Sequence, residues 1–129
     1  MNVALFLDDR ANRHAIFQQR YGFEYVFVHA YTYADAVAAI NSGLSFSLLY
    51  LDHDLTFEDD MCDPKTATAK TGSDFAKDLV AHYEMVPNSE KPNIIVHSLN
   101  PKGADNMVKI LTEAGFNAVA IPFYQLCST

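Results

Sequence analysis

"LLYLDHDLTFEDD", residues 48–60, decides how the rest of the chain is read. Its first four residues are apolar or aromatic without a break, as in a strand buried on both faces of a parallel sheet. The run stops at Asp52. Asp52, Asp54, Glu58, Asp59, Asp60 and Asp63 then put six acids into the twelve positions 52–63, with His53 between the first two. Open parallel sheets bind ligands beyond the C-terminal ends of their strands. A strand that ends on acids therefore raises the question of what its neighbours end on.

Toward the N-terminus, "VALFL", residues 3–7, is a similar run that ends in Asp8 and Asp9, followed by Arg10. Residues 12–20 predict a helix with Ile16, Phe17 and Arg20 on one side. "EYVFVH", residues 24–29, is rich in β-formers. Thr32 is an N-cap with Asp35 three positions on. The helix it starts carries Tyr33, Val37 and Ile40 on one face and stops at Gly43. Toward the C-terminus, residues 52–71 exceed an ordinary βα connection and read as a functional loop. Residues 73–86 predict a helix burying Phe75, Leu79, Tyr83 and Val86. "NIIVH", residues 93–97, is a strand. Asn100 caps a further helix with Pro101 at its first position. Met107, Val108 and Leu111 form its apolar face, and Gly115 ends it. "NAVAI", residues 117–121, is the last strand, and "PFYQLCST" leaves room for one or two turns. Strict β-α alternation with right-handed crossovers gives an α/β fold, a single-domain three-layer sandwich around a five-stranded parallel sheet. The expected strand order is 2-1-3-4-5, with the last helix truncated.

The 129 residues suit one domain, and half of them are apolar, enough for a core. A formal net charge of -7 disfavours extended nucleic acid and anionic membranes as partners. It leaves room for a small phosphorylated ligand held through a metal, and for a protein partner. Cys62 and Cys127 show no pairing signature. No 18-residue apolar run is present, and the acidic start lacks the basic segment of a signal peptide, so the expected location is cytoplasmic.

In the expected strand order the first and third strands are neighbours, and Asp8, Asp9 and Asp52 converge. Clustered carboxylates repel one another unless a cation sits among them, and hard oxygen ligands suit Mg²⁺ or Mn²⁺. A lone aspartate after a strand more often just caps a turn. The coincidence of "LDD" and "LDHD" on two strand ends favours a metal site. Asp59, Asp60 and Asp63 have no tie to a strand end and read as a solvated acidic loop. His14, His29 and His82 read as packing or surface residues. His53 and His97 stand beside strand-end acids or hydroxyls, either as proton carriers or as rings bonded to loop backbone. The catalytic candidates are thus Asp52, His53, Asp54 and His97. Arg10, in a corner that holds all three arginines, fits a phosphoryl clamp. "HSLNPKGADN" offers Ser98, Asn100, Lys102 and Gly103 as an oxyanion-binding turn before a helix.

These motifs resemble the receiver, or CheY-like, fold: an acidic pair after strand one, an aspartate after strand three and a hydroxyl after strand four. The resemblance covers the chain to about Pro122. It implies that Asp52 matches the phosphoryl-accepting position, Asp8 and Asp9 the Mg²⁺ ligands, and Ser98 the phosphate-sensing hydroxyl. Receivers carry a lysine before the proline after strand five; here that position is Ile121. "FLDDR", "LDHDL" and "HSLNPKGADNM" are more similar to the divergent receiver-like family that is thought to process cyclic phosphates in bacteria and phages. That resemblance implies metal or acid–base work for Asp8, Asp9, Asp52 and Asp54, and phosphate contacts for His53, His97 and Ser98. The expected function is a metal-dependent phosphoesterase acting on a cyclic phosphate of a nucleotide or RNA end. Attack through Asp52 and direct attack by water both stay open. The alternatives are a non-catalytic receiver-like signalling or partner-binding module, and a protein that sequesters a nucleotide.

Overall fold

The computed structural model describes residues 2–55, 70–86 and 90–126. Its elements alternate as β1 (Asn2–Leu7), α1 (Ala11–Tyr21), β2 (Tyr25–Ala30), α2 (Tyr33–Ile40), β3 (Leu48–Leu51), α3 (Gly72–Met85), β4 (Asn93–Val96), α4 (Pro101–Glu113), β5 (Ala118–Ala120) and α5 (Phe123–Leu126). The five strands form one parallel sheet in the order β2-β1-β3-β4-β5. This is the expected topology, with α5 cut to a single turn. Residues 56–69, which hold most of the acidic loop with Asp59, Asp60, Cys62 and Asp63, lie outside the described residues, as does Cys127.

Alternation along the strands sorts the core into two layers. Leu5, Leu7, Leu49, Leu51, Ile94 and Val96 pack toward α2, α3 and α4, with Ala36, Phe75, Leu79, Met107 and Leu111. Ala4, Phe6, Leu48 and Tyr50 point the other way and meet Phe17 of α1, with Phe123 and Leu126 of α5 packed alongside. Phe6 stacks on Phe17 at 4.5 Å between ring centres, and Tyr50 meets Phe17 edge-on at 4.6 Å. The Tyr21 hydroxyl donates to the Leu126 carbonyl and ties the short α5 to α1.

Local signals explain the helix ends. Thr32 accepts the Asp35 N–H, and Thr71 with Asp74 makes a full capping box. Asn100 accepts the Gly103 N–H, and Pro101 opens α4. Gly43 and Gly115 follow α2 and α4 with φ of 87° and 92°, a region that favours glycine. Ile16, expected on one side of α1 with Phe17, is 41% exposed, because the helix turns His14, Phe17 and Tyr21 inward, a spacing of three and four. One residue expected to be buried is not. Val86 is 36% exposed, because α3 ends at Met85 and leaves it in the cap position.

Candidate functional site

The register fixes the site. Leu7 pairs with Ala30 and Leu51, and Leu51 with Val96, so β1, β3 and β4 end level. The ladder runs one residue further. The Asp8 N–H donates to Ala30 O at 3.1 Å, Asp52 N–H to Leu7 O at 3.0 Å and His97 N–H to Leu51 O at 2.9 Å. Asp8 follows Phe6 by two, Asp52 follows Tyr50 by two and His97 follows Ile95 by two. All three side chains therefore fall on the α1/α5 face. They are buried, and their ligand atoms lie within 4.8 Å of one another.

Asp8 is the hub. Its Oδ1 accepts the Arg10 N–H at 2.9 Å. Its Oδ2 accepts from Arg13 Nη1 at 3.1 Å and from His97 Nε2 at 3.0 Å. Burial alone would raise its pKa, but the His97 hydrogen bond and charge, the Arg10 N–H and Arg13 together hold it below the ordinary value. Asp52 is less well served. Its Oδ1 accepts the His53 N–H at 2.9 Å, and Arg13 Nη1 stands 3.8 Å from its Oδ2. Burial pushes Asp52 up to about 6; His97 and Arg13 pull the other way, and Asp8 and Asp9 reinforce the rise. The ring of His97 stacks flat on Phe6 at 5.0 Å, and its Nδ1 has no partner among the described residues.

A second polar group sits at the entrance to α4. His53 Nδ1 bonds Asp54 Oδ1 at 2.9 Å, and Asn100 Nδ2 donates to the same oxygen at 3.3 Å. Ser98 Oγ accepts the Asn100 N–H at 3.1 Å. Gly72 and Gly103 allow this turn to close. A Cβ on Gly72 would fall 2.1 Å from the Asp52 carbonyl oxygen, and one on Gly103 would fall 2.4 Å from His53 Cγ.

The structure thus brings Asp8, Asp52 and His97 into one buried cluster and His53, Asp54, Ser98 and Asn100 into a neighbouring one. Asp9 is half-buried on the turn after β1, outside the cluster of ligand atoms. Several expected roles shift. His97, expected to touch a phosphate, is fully buried and holds Asp8. Ser98, expected beside it, is buried and accepts the Asn100 N–H, which braces the turn. Arg10 reaches the site through its backbone N–H, and its side chain is exposed. The Gly103 N–H, expected to face an anion, is taken by Asn100 Oδ1 at 3.0 Å. Lys102 is exposed.

Two residues carry site geometry that sequence reasoning passed over. Arg13, not Arg10, supplies the cation between the carboxylates. It lies one turn before the buried Phe17, on the end of α1 that faces the strand tips, and that spacing was a usable signal. His14 is buried, bonds the Asp8 carbonyl through Nε2 at 2.8 Å and meets His29 at 2.7 Å between Nδ1 atoms. Burial lowers the pKa of both rings.

Two buried carboxylates and an imidazole whose ligand atoms lie within 4.8 Å of one another are a donor set that fits a divalent cation. No helix among the described residues is long and apolar enough to cross a membrane.

Comparison with solved structures gives the same fold. The receiver domain of the histidine kinase CKI1 from Arabidopsis thaliana, complexed with Mg²⁺ and BeF3⁻, superposes with a TM-score of 0.66 at 13% identity. That match covers 98% of this chain and 85% of that one. A CheY-like response regulator receiver domain from Methanospirillum hungatei gives 0.60 at 18% identity, covering 98% and 87%. A response regulator from Burkholderia pseudomallei, with a phosphorylated aspartic acid, a calcium ion and citrate, gives 0.61 at 11% identity. There the match takes in 98% of this chain but only 64% of that protein. No match was found among the curated proteins. The model of one family, the cyclic-phosphate processing receiver domain, matches residues 3–113. The level strand ends, the buried acid pair and this match over most of the sequence agree, and the chain belongs to the cyclic-phosphate processing receiver domain family.

Proposed function

We propose that this receiver-like domain binds a small cyclic phosphate ester at the tips of β1, β3 and β4 and opens it by hydrolysis with the help of Mg²⁺ or Mn²⁺. The observation that carries this reading is the burial of Asp8 and Asp52 together, with Asp52 raised to about 6. Desolvation and mutual repulsion oppose joint ionisation of two carboxylates in so dry a place, and a cation between them relieves both. Asp8 and Asp52 would hold the metal, with Asp9 at its outer side. When bound, the cation neutralises phosphate charge and makes water more acidic. The protein's own residues do the rest. His97 holds the Asp8 carboxylate in place through Nε2. The Asp54 carboxylate fixes the His53 ring through Nδ1–H, which leaves Nε2 free to carry a proton. Water adds to phosphorus, one ring P–O bond breaks, the ester oxygen takes a proton and water gives one up. The product is a phosphomonoester. A nucleotide or an RNA end are the substrate forms to try.

The fold likeness to receiver domains of signalling proteins favours a second reading, a non-catalytic module that binds a phosphorylated ligand or a protein partner. One experiment separates the two. The purified chain is incubated with 2′,3′- and 3′,5′-cyclic nucleotides and a cyclic-phosphate-ended oligonucleotide, with and without Mg²⁺ or Mn²⁺. Products are followed by chromatography. Metal-dependent monoester formation, falling by about 10²–10⁴ in kcat in His53→Ala, is expected. Binding without turnover would move the protein to the second reading. In a parallel arm, acetyl phosphate should leave no long-lived phospho-Asp52 by intact mass, since Ile121 stands where receivers have lysine. Stable phosphorylation lost in Asp52→Asn would establish a phosphorelay role instead.

A further inference from the structure

Arg13 is held in place by three contacts that no other cation in the described residues shares. Its Nη1 is 3.1 Å from Asp8 Oδ2 and 3.8 Å from Asp52 Oδ2, and its Cζ lies 5.1 Å over the Phe123 ring. Its side chain is 15% exposed. The helix beneath it is fixed, because Phe17, one turn on, is fully buried in an aromatic stack. Only the side chain is free to change position, and α5 offers a flat aromatic face for it to lie on.

We infer that Arg13 is a two-position residue: counter-ion to Asp8 and Asp52 in the metal-free chain, and holder of the substrate phosphate once a divalent cation takes its place. This rests on the proposed cyclic-phosphate reading and adds a residue and an order of events to it. A guanidinium stays charged at every working pH. It therefore stands where a divalent cation would sit and competes with it directly. Displaced, it keeps its charge and its stacking on Phe123 but loses its carboxylates. It then needs an anion at the mouth of the same site. The two non-bridging oxygens of a phosphodiester match its planar fork. The other basic side chains nearby, Arg10 and Lys102, are exposed and make no such contact with the carboxylates. Phe123 thereby becomes a positioning residue, and the single turn of α5 acquires a purpose at the site.

The signature is a pair of effects of opposite sign, which a merely structural arginine would not give. Mg²⁺ binding to metal-free wild type, Arg13→Gln and Arg13→Lys is measured by calorimetry with no substrate. Inorganic phosphate binding is then measured at saturating Mg²⁺. Arg13→Gln should bind Mg²⁺ about tenfold tighter and phosphate about tenfold weaker, the usual weight of one charge-assisted hydrogen bond in each direction. Arg13→Lys should keep the competition with Mg²⁺ and lose part of the phosphate affinity. In the wild type the side-chain Nε–H resonance of Arg13 should shift on adding Mg²⁺ and again on adding phosphate. That measurement stands even if Arg13→Gln fails to fold. A wild type that binds Mg²⁺ while Arg13→Gln binds it no tighter, or an Arg13 resonance unmoved by Mg²⁺, would overturn the inference and leave the proposed function intact. Failure of all three proteins to bind Mg²⁺ would overturn both.

Discussion

At the scale of single residues, Asp52 is the most informative side chain. It is buried and raised to about 6 from 3.8, chiefly by loss of solvent. An acid whose pKa rises on folding favours the folded state while it is protonated. The stabilising contribution is complete below the unfolded value near 3.8 and is lost as pH climbs through about 6. A rise of this size corresponds to about 3 kcal/mol. The metal-free wild type should therefore lose stability relative to Asp52→Asn between about pH 4 and 6, and Mg²⁺ should restore it above that window. Urea unfolding of both proteins at pH 4, 5, 6, 7 and 8, with and without Mg²⁺, reads this directly. A difference that does not change with pH would mean that Asp52 ionises freely. The comparison with Asp52→Asn is needed because His14 and His29 act in the opposite sense. Their pKa values are lowered by burial, so their contribution is present above about 6.5 and is lost as pH falls. Their hydrogen bonds also define their hydrogens. His14 Nε2 must donate to the Asp8 carbonyl, so a neutral pair requires His29 Nδ1–H to donate to His14 and the Gln18 amide NH₂ to face His29.

At the scale of elements, the turn after β3 and the starts of α3 and α4 form one close-packed corner. Gly72 donates to the His53 carbonyl at 2.7 Å, and a methyl group there would collide with the Asp52 carbonyl oxygen and with Met107. Backbone cannot yield easily, so Gly72→Ala should destabilise the protein by about 1–3 kcal/mol. Gly103→Ala meets the His53 ring instead, and a side chain can rotate away. Its stability loss should be smaller, while phosphate binding or turnover falls as His53 leaves Asp54. Denaturant melts together with a binding measurement check the ranking; a larger loss for Gly103→Ala would refute it. The same corner shows what was legible in the sequence. Apolar runs, caps and helix stops located nearly every element, since each is set by local chemistry. Strand parity from Phe6 to Asp8 and from Ile95 to His97 also held the information that these two side chains share a face. Arg13, His14 and the glycine contacts were harder to see. They depend on how α1, α3 and α4 settle against the sheet, which no local pattern states.

At the scale of the whole molecule, the order β2-β1-β3-β4-β5 makes β1, β3 and β4 the three interior strands, and the site is built on their tips. The acids that repel one another thus stand on the most heavily supported backbone in the fold, above a stack of Phe6, Phe17 and Tyr50. Topology was legible because strict alternation permits few crossovers. The balance of charge around the acid pair was not, because its cation is Arg13 of α1 and does not come from the end of β5, where Ile121 stands. The continuation of the ladder past the last paired residues has one further consequence. The amide hydrogens of Asp8, Asp52 and His97 are bound to Ala30, Leu7 and Leu51 of the adjacent strands. Such hydrogens trade with solvent only when the central sheet opens as a unit. Hydrogen–deuterium exchange should place these three among the slowest amides of the chain, tracking global unfolding, while the amides of α5 exchange far sooner. Fast exchange at Asp8 or Asp52 would contradict it. The floor of this site is then a fixed template, and ligands arriving there meet geometry that was set when the protein folded.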